Sequence, residues 1–399
     1  MKAQALKLAD NVYWVGAIDW GLKEFHGYET RGTTYNAYLI LAEKVTLIDT
    51  VKAEFCEELL ARISSVIEPS KIDYIISNHA EMDHTGSLPA VIDIVKPKKI
   101  FASKEGAKAL PEHFALPIEI TAVSDNERLD LGGKTLTFFE SRMVHWPDSM
   151  FTYLDEEGIL FSQDAFGMHL ASSERFDSEI NEGVLDYEAA KYYANIINPF
   201  SNIVGKLMTK LTDLKLDLNM IAPDHGPIWQ KQIDKILGLY KAWASPERTV
   251  KAVIVYDTMW HSTEKMANAI AEGLLAGGAR PRVMPLATFH ASDIVTETLD
   301  GGALIIGSPT FNSGVLPTVA GFMQYAKGLK IRHVLGGAFG SYGWSPGAVK
   351  QIIETLGAMR IEIAGEGIQA KYRPDSDALD QCFQYGGLIA DKLKETVKG

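Results

Sequence analysis

The run His79-Ala-Glu81-Met-Asp83-His84 puts two imidazoles and two carboxylates into one short stretch. His145, Asp164 and His225 follow at a distance, each shortly after an apolar, strand-like run. Together they offer enough donors for two metal ions. Glu81, Asp83 and Asp164 are hard oxygen donors carrying three negative charges. Such a set suits iron, which gains positive charge on oxidation, better than zinc, which does not. The chemistry expected is therefore iron redox chemistry rather than zinc hydrolysis. A solvated polar loop is the bland alternative for the short run, but four ligand types in six residues at a strand end are hard to place otherwise. Lone histidines usually serve the surface or the core, and His113, His169, His290 and His333 are read that way.

A second set of residues lies downstream. The stretch Tyr256-Asp-Thr258-Met259-Trp260-His261-Ser262-Thr263-Glu264 joins a strand to a helix. Its hydroxyls and backbone N–H groups face the positive end of that helix, which holds a phosphate without a lysine clamp. No Gly-Lys-Ser/Thr is present, so it is not a P-loop. It resembles the flavodoxin phosphate loop, with Trp260 and His261 in place of the usual Thr and Gly. Two more polar loops fall at strand ends: Ser308-Pro-Thr310-Phe311-Asn312-Ser313 and Gly340-Ser341-Tyr342-Gly343-Trp344-Ser345. Such loops flank an isoalloxazine ring, and Trp260, Tyr342 and Trp344 are the aromatics expected near it. FMN fits better than FAD, because no companion site for an adenosine half accompanies the phosphate loop. Gly365-Glu-Gly367-Ile-Gln-Ala370 matches a dinucleotide fingerprint, but Lys-Tyr-Arg-Pro follows instead of a helix and only 29 residues remain. No NAD site is assigned.

The elements that must position these residues fall into two modules. In the first, residues 35–41, 45–48, 72–77, 99–102, 135–140, 150–154 and 158–162 read as strands, and 54–66, 87–95 and 196–211 as helices. The strands are often consecutive, which predicts sheets with helices outside them. Near Trp243-Ala-Ser-Pro-Glu-Arg248 a Ser-Pro pair breaks the pattern. Strand 250–256 then opens a regular alternation. Helix 264–275 buries Met266, Ala267, Ile270, Ala271, Leu274 and Leu275 and stops at Gly277-Gly278. Strands 303–306, 334–339 and 361–364 and helices 349–356 and 378–396 complete a small doubly wound parallel sheet. The expected domains are residues 1–248 and 249–399.

Composition narrows the partners. The chain has 399 residues, 46% apolar and 23% charged, as a soluble globular protein does. Its N-terminus has no signal-peptide pattern. No apolar run approaches the roughly 20 residues of a membrane helix, so a cytoplasmic location and no membrane partner are expected. Cys56 and Cys382 are the only cysteines and read as small apolar residues. They are too few for a rubredoxin-type iron site or an iron–sulfur cluster, which take about four. Residues 1–248 carry 25 Lys+Arg against 37 Asp+Glu, whereas residues 249–399 carry 14 of each. Neither half offers the basic footprint of a nucleic-acid binder.

The metal run closely resembles the metallo-β-lactamase signature His-x-His-x-Asp-His, with Glu81 replacing the middle histidine. Gly32-Thr-Thr-Tyr-Asn-Ala-Tyr38 and Thr46-Leu-Ile-Asp49-Thr50 resemble that fold's early strands. With the spacings to His145, Asp164 and His225, the chain resembles the flavodiiron proteins over essentially its whole length. The resemblance implies an α/β protein, a metallo-β-lactamase-like αββα sandwich followed by a flavodoxin-like sheet. It implies two non-haem irons, with His79, Glu81 and His145 on one, Asp83 and His225 on the other and Asp164 bridging. His84 holds a ligand position in zinc relatives but can turn away in this family. Asp49 is read as a supporting carboxylate. His26 and Tyr193 are the groups expected near bound substrate, although core packing also suits Tyr193.

The reaction implied is reduction of dioxygen to water, nitric oxide to nitrous oxide, or both. Electrons would come through FMN from a separate donor, rubredoxin or a reduced deazaflavin. The assembly implied is a head-to-tail homodimer or a tetramer. An acidic donor would be repelled by the first module and is expected on the second, near Lys327, Lys330 and Arg332, for which a solvated basic surface is the bland alternative. Two rivals remain: a hydrolase with a regulatory flavodoxin domain, and a flavin electron-transfer module with a vestigial metal domain.

Overall fold

The computed structural model describes residues 3–332 and 334–397. The chain forms two compact units, residues 1–193 with 200–241, and residues 194–199 with 242–399.

The first unit is a pair of facing sheets. One runs in the order Leu6–Ala9, Val12–Trp14, Tyr38–Ile40, Thr46–Ile48, Tyr74–Ser77, Lys99–Ser103 and Ile120–Val123. The last four of these strands are parallel. The other runs Arg128–Asp130, Thr135–Glu140, Met150–Leu154, Ile159–Gln163 and Met220–Pro223. It is antiparallel except at its final pair. Ile48, Ile76 and Phe101 from the first sheet share one core with Leu136, Phe138, Phe161 and Met220 from the second. A separate core lies under helices Cys56–Ser64, Leu88–Val95 and Gly106–His113, which bury Leu59, Ile63, Val91, Ile92 and Leu110. Each such side chain contributes about 1.5–3 kcal/mol by leaving water. The second sheet is flanked by helix Ser201–Leu214, whose Lys210 lies over the Phe139 ring and donates to the Glu140 carbonyl.

Two expected elements differ. The strand expected over 35–41 is broken into Thr33–Tyr35 and Tyr38–Ile40. At the break, buried Asn36 donates its side-chain amide to the carbonyls of Pro223 (2.7 Å) and Gly226 (3.0 Å), and its backbone N–H to Asp224 (2.7 Å). The interruption thus braces the loop that carries His225. The helix expected over 196–211 is Ser201–Leu214, preceded by a π-helical turn Tyr193–Ile197 and a tight turn Asn198–Phe200. Pro199 supplies no N–H and restricts the residue before it, so the regular helix starts beyond it.

The second unit is a parallel sheet ordered Arg280–Pro285, Lys251–Tyr256, Ala303–Gly307, Leu335–Tyr342 and Glu362–Ile363, with Ile368–Lys371 also pairing Leu335–Tyr342. Ile368–Lys371 is the segment after the Gly-x-Gly run, a strand where a dinucleotide fold needs a helix. Helices Ser262–Ala276 and Ser376–Val397 pack together over one face of the sheet. They approach so closely that a Cβ on Gly273 would collide with the Phe383 carbonyl, and one on Gly386 with that of Ile270. Glycine is required there for the close contact. Cys382 is buried in this core, and Cys56 is half-buried in the first unit.

Candidate functional site

The metal-type residues converge where strands of the first unit end. Asn78 follows Tyr74–Ser77 and is gripped on both sides. Its N–H and side-chain amide donate to Asp49 at 2.7 Å each, and its amide oxygen accepts from Thr152 (2.6 Å). That grip turns the chain and presents His79. The next residues bend through Glu81 into a single helical turn, Met82–Thr85. Asp164 directly follows Ile159–Gln163, and His225 follows Met220–Pro223 by two residues. His145 lies between Thr135–Glu140 and Met150–Leu154.

The result is two ligand groups, His79–Glu81–His145–Asp164 and Asp83–His84–His225, with donor atoms of each group within 4.8 Å of one another. Asp164 joins them. Its Oδ2 lies 3.0 Å from His145 Nε2 and 3.4 Å from His79 Nε2, and its Oδ1 lies 3.1 Å from His84 Nε2 and 3.4 Å from His225 Nε2. Glu81 Oε2 is 3.2 Å from His145 Nε2, and Asp83 Oδ2 is 3.2 Å from His225 Nε2. Four imidazoles thus aim Nε2 at one small volume.

Outer contacts set that aim. His79 Nδ1–H donates to Asp148 (3.0 Å), which also accepts from the Ala80 N–H (2.6 Å). His225 Nδ1–H donates to the Thr34 carbonyl (2.7 Å). A donating Nδ1 leaves Nε2 as the lone-pair nitrogen for a metal. His84 Nδ1 faces Asp224 Oδ2 at 3.4 Å.

The electrostatics show what the cluster needs. Burial pushes the Asp164 and Glu81 carboxyls up, but the neighbouring imidazoles outweigh it and hold both below the usual range. Burial pulls His84 down, yet Asp83 and Asp164 raise it to about 10. The cluster therefore binds positive charge strongly. Both oxygens of Asp83, Oδ1 of Asp164 and both nitrogens of His84 are buried without a hydrogen-bond partner. Leaving such groups unpaired costs several kcal/mol, and divalent cations satisfy them. The mixture of imidazole and carboxylate fits a pair of iron ions.

The other sequence-predicted residues divide. Half-exposed His26 reaches the site, with Nε2 2.8 Å from Glu81 Oε1, and that hydrogen bond raises its pKa. Tyr193 is fully buried, its hydroxyl pairs with Ser201 Oγ (3.1 Å) and its ring packs on Tyr240, as the core reading expects. The preceding residue, Tyr192, lies against His169 and His225 instead. His169 is a buried core histidine joined to Thr33 Oγ1 (2.9 Å), His113 stacks on Trp146, and His290 caps helix Ala291–Glu297. None of these three belongs to either ligand group. His333 lies outside the described residues. The orienting residue Asp148 was missed, although it stands within His-Trp-Pro-Asp, the stretch that carries His145.

In the second unit a cleft of about 600 Å³ opens at the strand ends. The first loop contributes residues 258–260 and Ser262, the second Thr310, and the third residues 341–344. His261 instead turns outward to Glu264 (2.6 Å), and Thr263 is buried beside Ser341. Phe311, Asn312 and Ser313 form a tight turn closed by Phe311 and Gly314 and do not line the cleft. Trp260 and Trp344 are 83% and 91% exposed, and the buried Thr258 hydroxyl has no hydrogen-bond partner. Bare aromatic faces beside hydroxyls at a helix N-terminus fit a flat ring bearing a phosphate.

The fold and site define a di-metal sandwich joined to a flavin-type parallel sheet. Comparison with known proteins agrees. Residues 33–226 match the ODP family beta lactamase model, and residues 254–386 match the flavodoxin model. The chain is 44% identical to the rubredoxin-oxygen oxidoreductase of Megalodesulfovibrio gigas, covering 98% of each. It is 42% identical to the nitric oxide reductase of Moorella thermoacetica, covering 98% of this chain and 100% of that one. The structure of rubredoxin oxygen:oxidoreductase from Desulfovibrio gigas superposes with a TM-score of 0.97 at 43% identity, over 99% of this chain and 100% of that one. The chain belongs to the flavodiiron protein family.

Proposed function

We propose that this chain is a flavodiiron oxidoreductase that reduces dioxygen to water, nitric oxide to nitrous oxide, or both. The observation that carries the reading is Asp164. Its two oxygens face two separate ligand groups, in a chain that also carries a flavin cleft. When bound, FMN relays electrons and the iron pair binds and reduces the diatomic.

The chain's residues prepare that chemistry. His79, Glu81 and His145 would hold one iron and Asp83, His225 and the inward-facing His84 the other, with Asp164 facing both groups. Asp148 and the Thr34 carbonyl orient the His79 and His225 imidazoles from behind. His26 links Glu81 toward solvent and stands where a proton can be exchanged. Thr258, Ser262 and the adjoining backbone would hold the phosphate, and Trp260, Tyr342 and Trp344 would flank the ring. The di-iron part is taken as residues 1–248 and the flavin part as 249–399.

Rubredoxin is the proposed donor, with a reduced deazaflavin as the second choice. A head-to-tail homodimer and a cytoplasmic setting complete the proposal. No described helix is long and apolar enough to cross a membrane.

The test feeds the iron- and FMN-loaded protein electrons through rubredoxin and its reductase, with dioxygen and nitric oxide electrodes read side by side. Consumption of either gas, without peroxide in the dioxygen case, is expected. Loss of neither gas would remove the redox reading and bring the hydrolase reading forward.

A further inference from the structure

The cofactor cleft carries an electrostatic feature that the hydroxyl loops do not explain. Two of its lining residues are cations, Lys265 and Arg373, and no carboxylate lines it. Neither cation makes an ion pair among the described residues. The two stand in different places. Lys265 is in the first turn of helix Ser262–Ala276, its N–H bonded to the His261 carbonyl (3.2 Å), beside the loop of residues 258–262. Arg373 follows strand Ile368–Lys371, whose Lys371 is in register with Tyr342. The Tyr372 N–H donates to the Tyr342 carbonyl (2.6 Å), which sets residues 372–373 beside the loop of residues 341–344.

We propose that these cations divide the recognition of an anionic cofactor. Lys265 serves the phosphate end, and Arg373 offsets the negative charge that the ring gains on reduction. The proposal rests on the flavin reading of this cleft. The physical argument is a difference in charge between states. Two electrons from the donor and one proton from solvent turn the neutral oxidised ring into an anion near neutral pH. A fixed cation beside it favours the reduced form over the oxidised one, so Arg373 raises the midpoint potential. The phosphate is charged in both states, so Lys265 governs affinity and leaves the potential nearly unchanged.

The test titrates the full-length, iron-loaded protein with FMN and with riboflavin, following flavin fluorescence, in wild type, Lys265→Gln, Lys265→Arg and Arg373→Gln. The flavin midpoint is then measured by dithionite titration with reference dyes. Lys265→Gln is expected to weaken FMN binding about tenfold and riboflavin binding hardly at all, and Lys265→Arg to restore it. Arg373→Gln is expected to weaken reduced FMN about tenfold more than oxidised FMN, which lowers the two-electron midpoint by about 30 mV. Equal effects of Lys265→Gln on FMN and riboflavin, or none on either, overturn the phosphate role. An unchanged midpoint in Arg373→Gln overturns the ring role. A wild-type protein that binds neither flavin overturns the flavin reading itself, a result distinct from both.

Discussion

The metal centre and the cofactor cleft are built on opposite plans. All seven proposed metal ligands are at least nine-tenths buried, whereas Met259, Trp260 and Trp344 at the cleft are 47%, 83% and 91% exposed. At the metal centre the ligands are held from behind. Asp148 orients His79, the Thr34 carbonyl orients His225, and Asn36 ties the His225 loop to its neighbouring strands. At the cleft, Trp260 and Trp344 sit on loops and are exposed on this chain. The first site is a buried cage, and the second is an open cleft lined by loops at the strand ends. The difference follows from the ligands. Metal coordination tolerates errors of only a few tenths of an ångström, while a flat ring can be clasped by loops that settle around it.

That contrast can be broken in a definite order. The largest expected effect is from Asp164→Ala, which removes the oxygens shared by both ligand groups. Gas consumption should fall more than about 100-fold and iron content should drop, as read by electrode and elemental analysis, while FMN content stays level. Parallel loss of FMN would show that the two sites are not independent.

Stripping the metals with a chelator comes next. It leaves buried carboxylates without counter-charge and should lower the melting temperature by roughly 5 °C or more, a larger shift than removal of FMN gives. Calorimetry on the two stripped forms decides it. Asp148→Asn keeps the shape but loses the charge behind His79. Iron affinity should fall about 10- to 100-fold in a chelator competition, without a change in flavin binding.

The cleft should respond more mildly. Trp344→Ala should weaken FMN binding about three- to tenfold while changing stability by no more than about 0.5 kcal/mol, measured by fluorescence titration and urea unfolding. The smallest effect belongs to Tyr193→Phe. It deletes one hydrogen bond to Ser201 and should cost about 1 kcal/mol, with iron content and gas consumption unchanged. A large loss of activity in that variant would return Tyr193 to the substrate pocket.

The ligands were legible because their chemistry is local. Four donor types in six residues, and single donors just beyond apolar runs, can be read without a fold. The parallel sheet of the second unit was equally legible, since strands and helices alternate with turn signals between them. Tyr193 and Tyr192 show the limit. Adjacent residues point in different directions, and only the π-helical turn starting at Tyr193 settles which one lies against His225. The break at Asn36 shows another, because strand propensity favours continuation and the competing partners lie nearly 190 residues away.

The sequence by itself determined the donor set, its preference for a redox metal over zinc, the two-module order and the phosphate-type loop. Each of these depends on residue type and short spacing. Only the tertiary structure decided that Asp164 faces both ligand groups, that His84 turns inward and that Asp148 and the Thr34 carbonyl set the imidazole orientations. It also placed Lys265 and Arg373 at one cleft. These are relations between segments far apart in the chain, and they exist only once packing has brought the strand ends together.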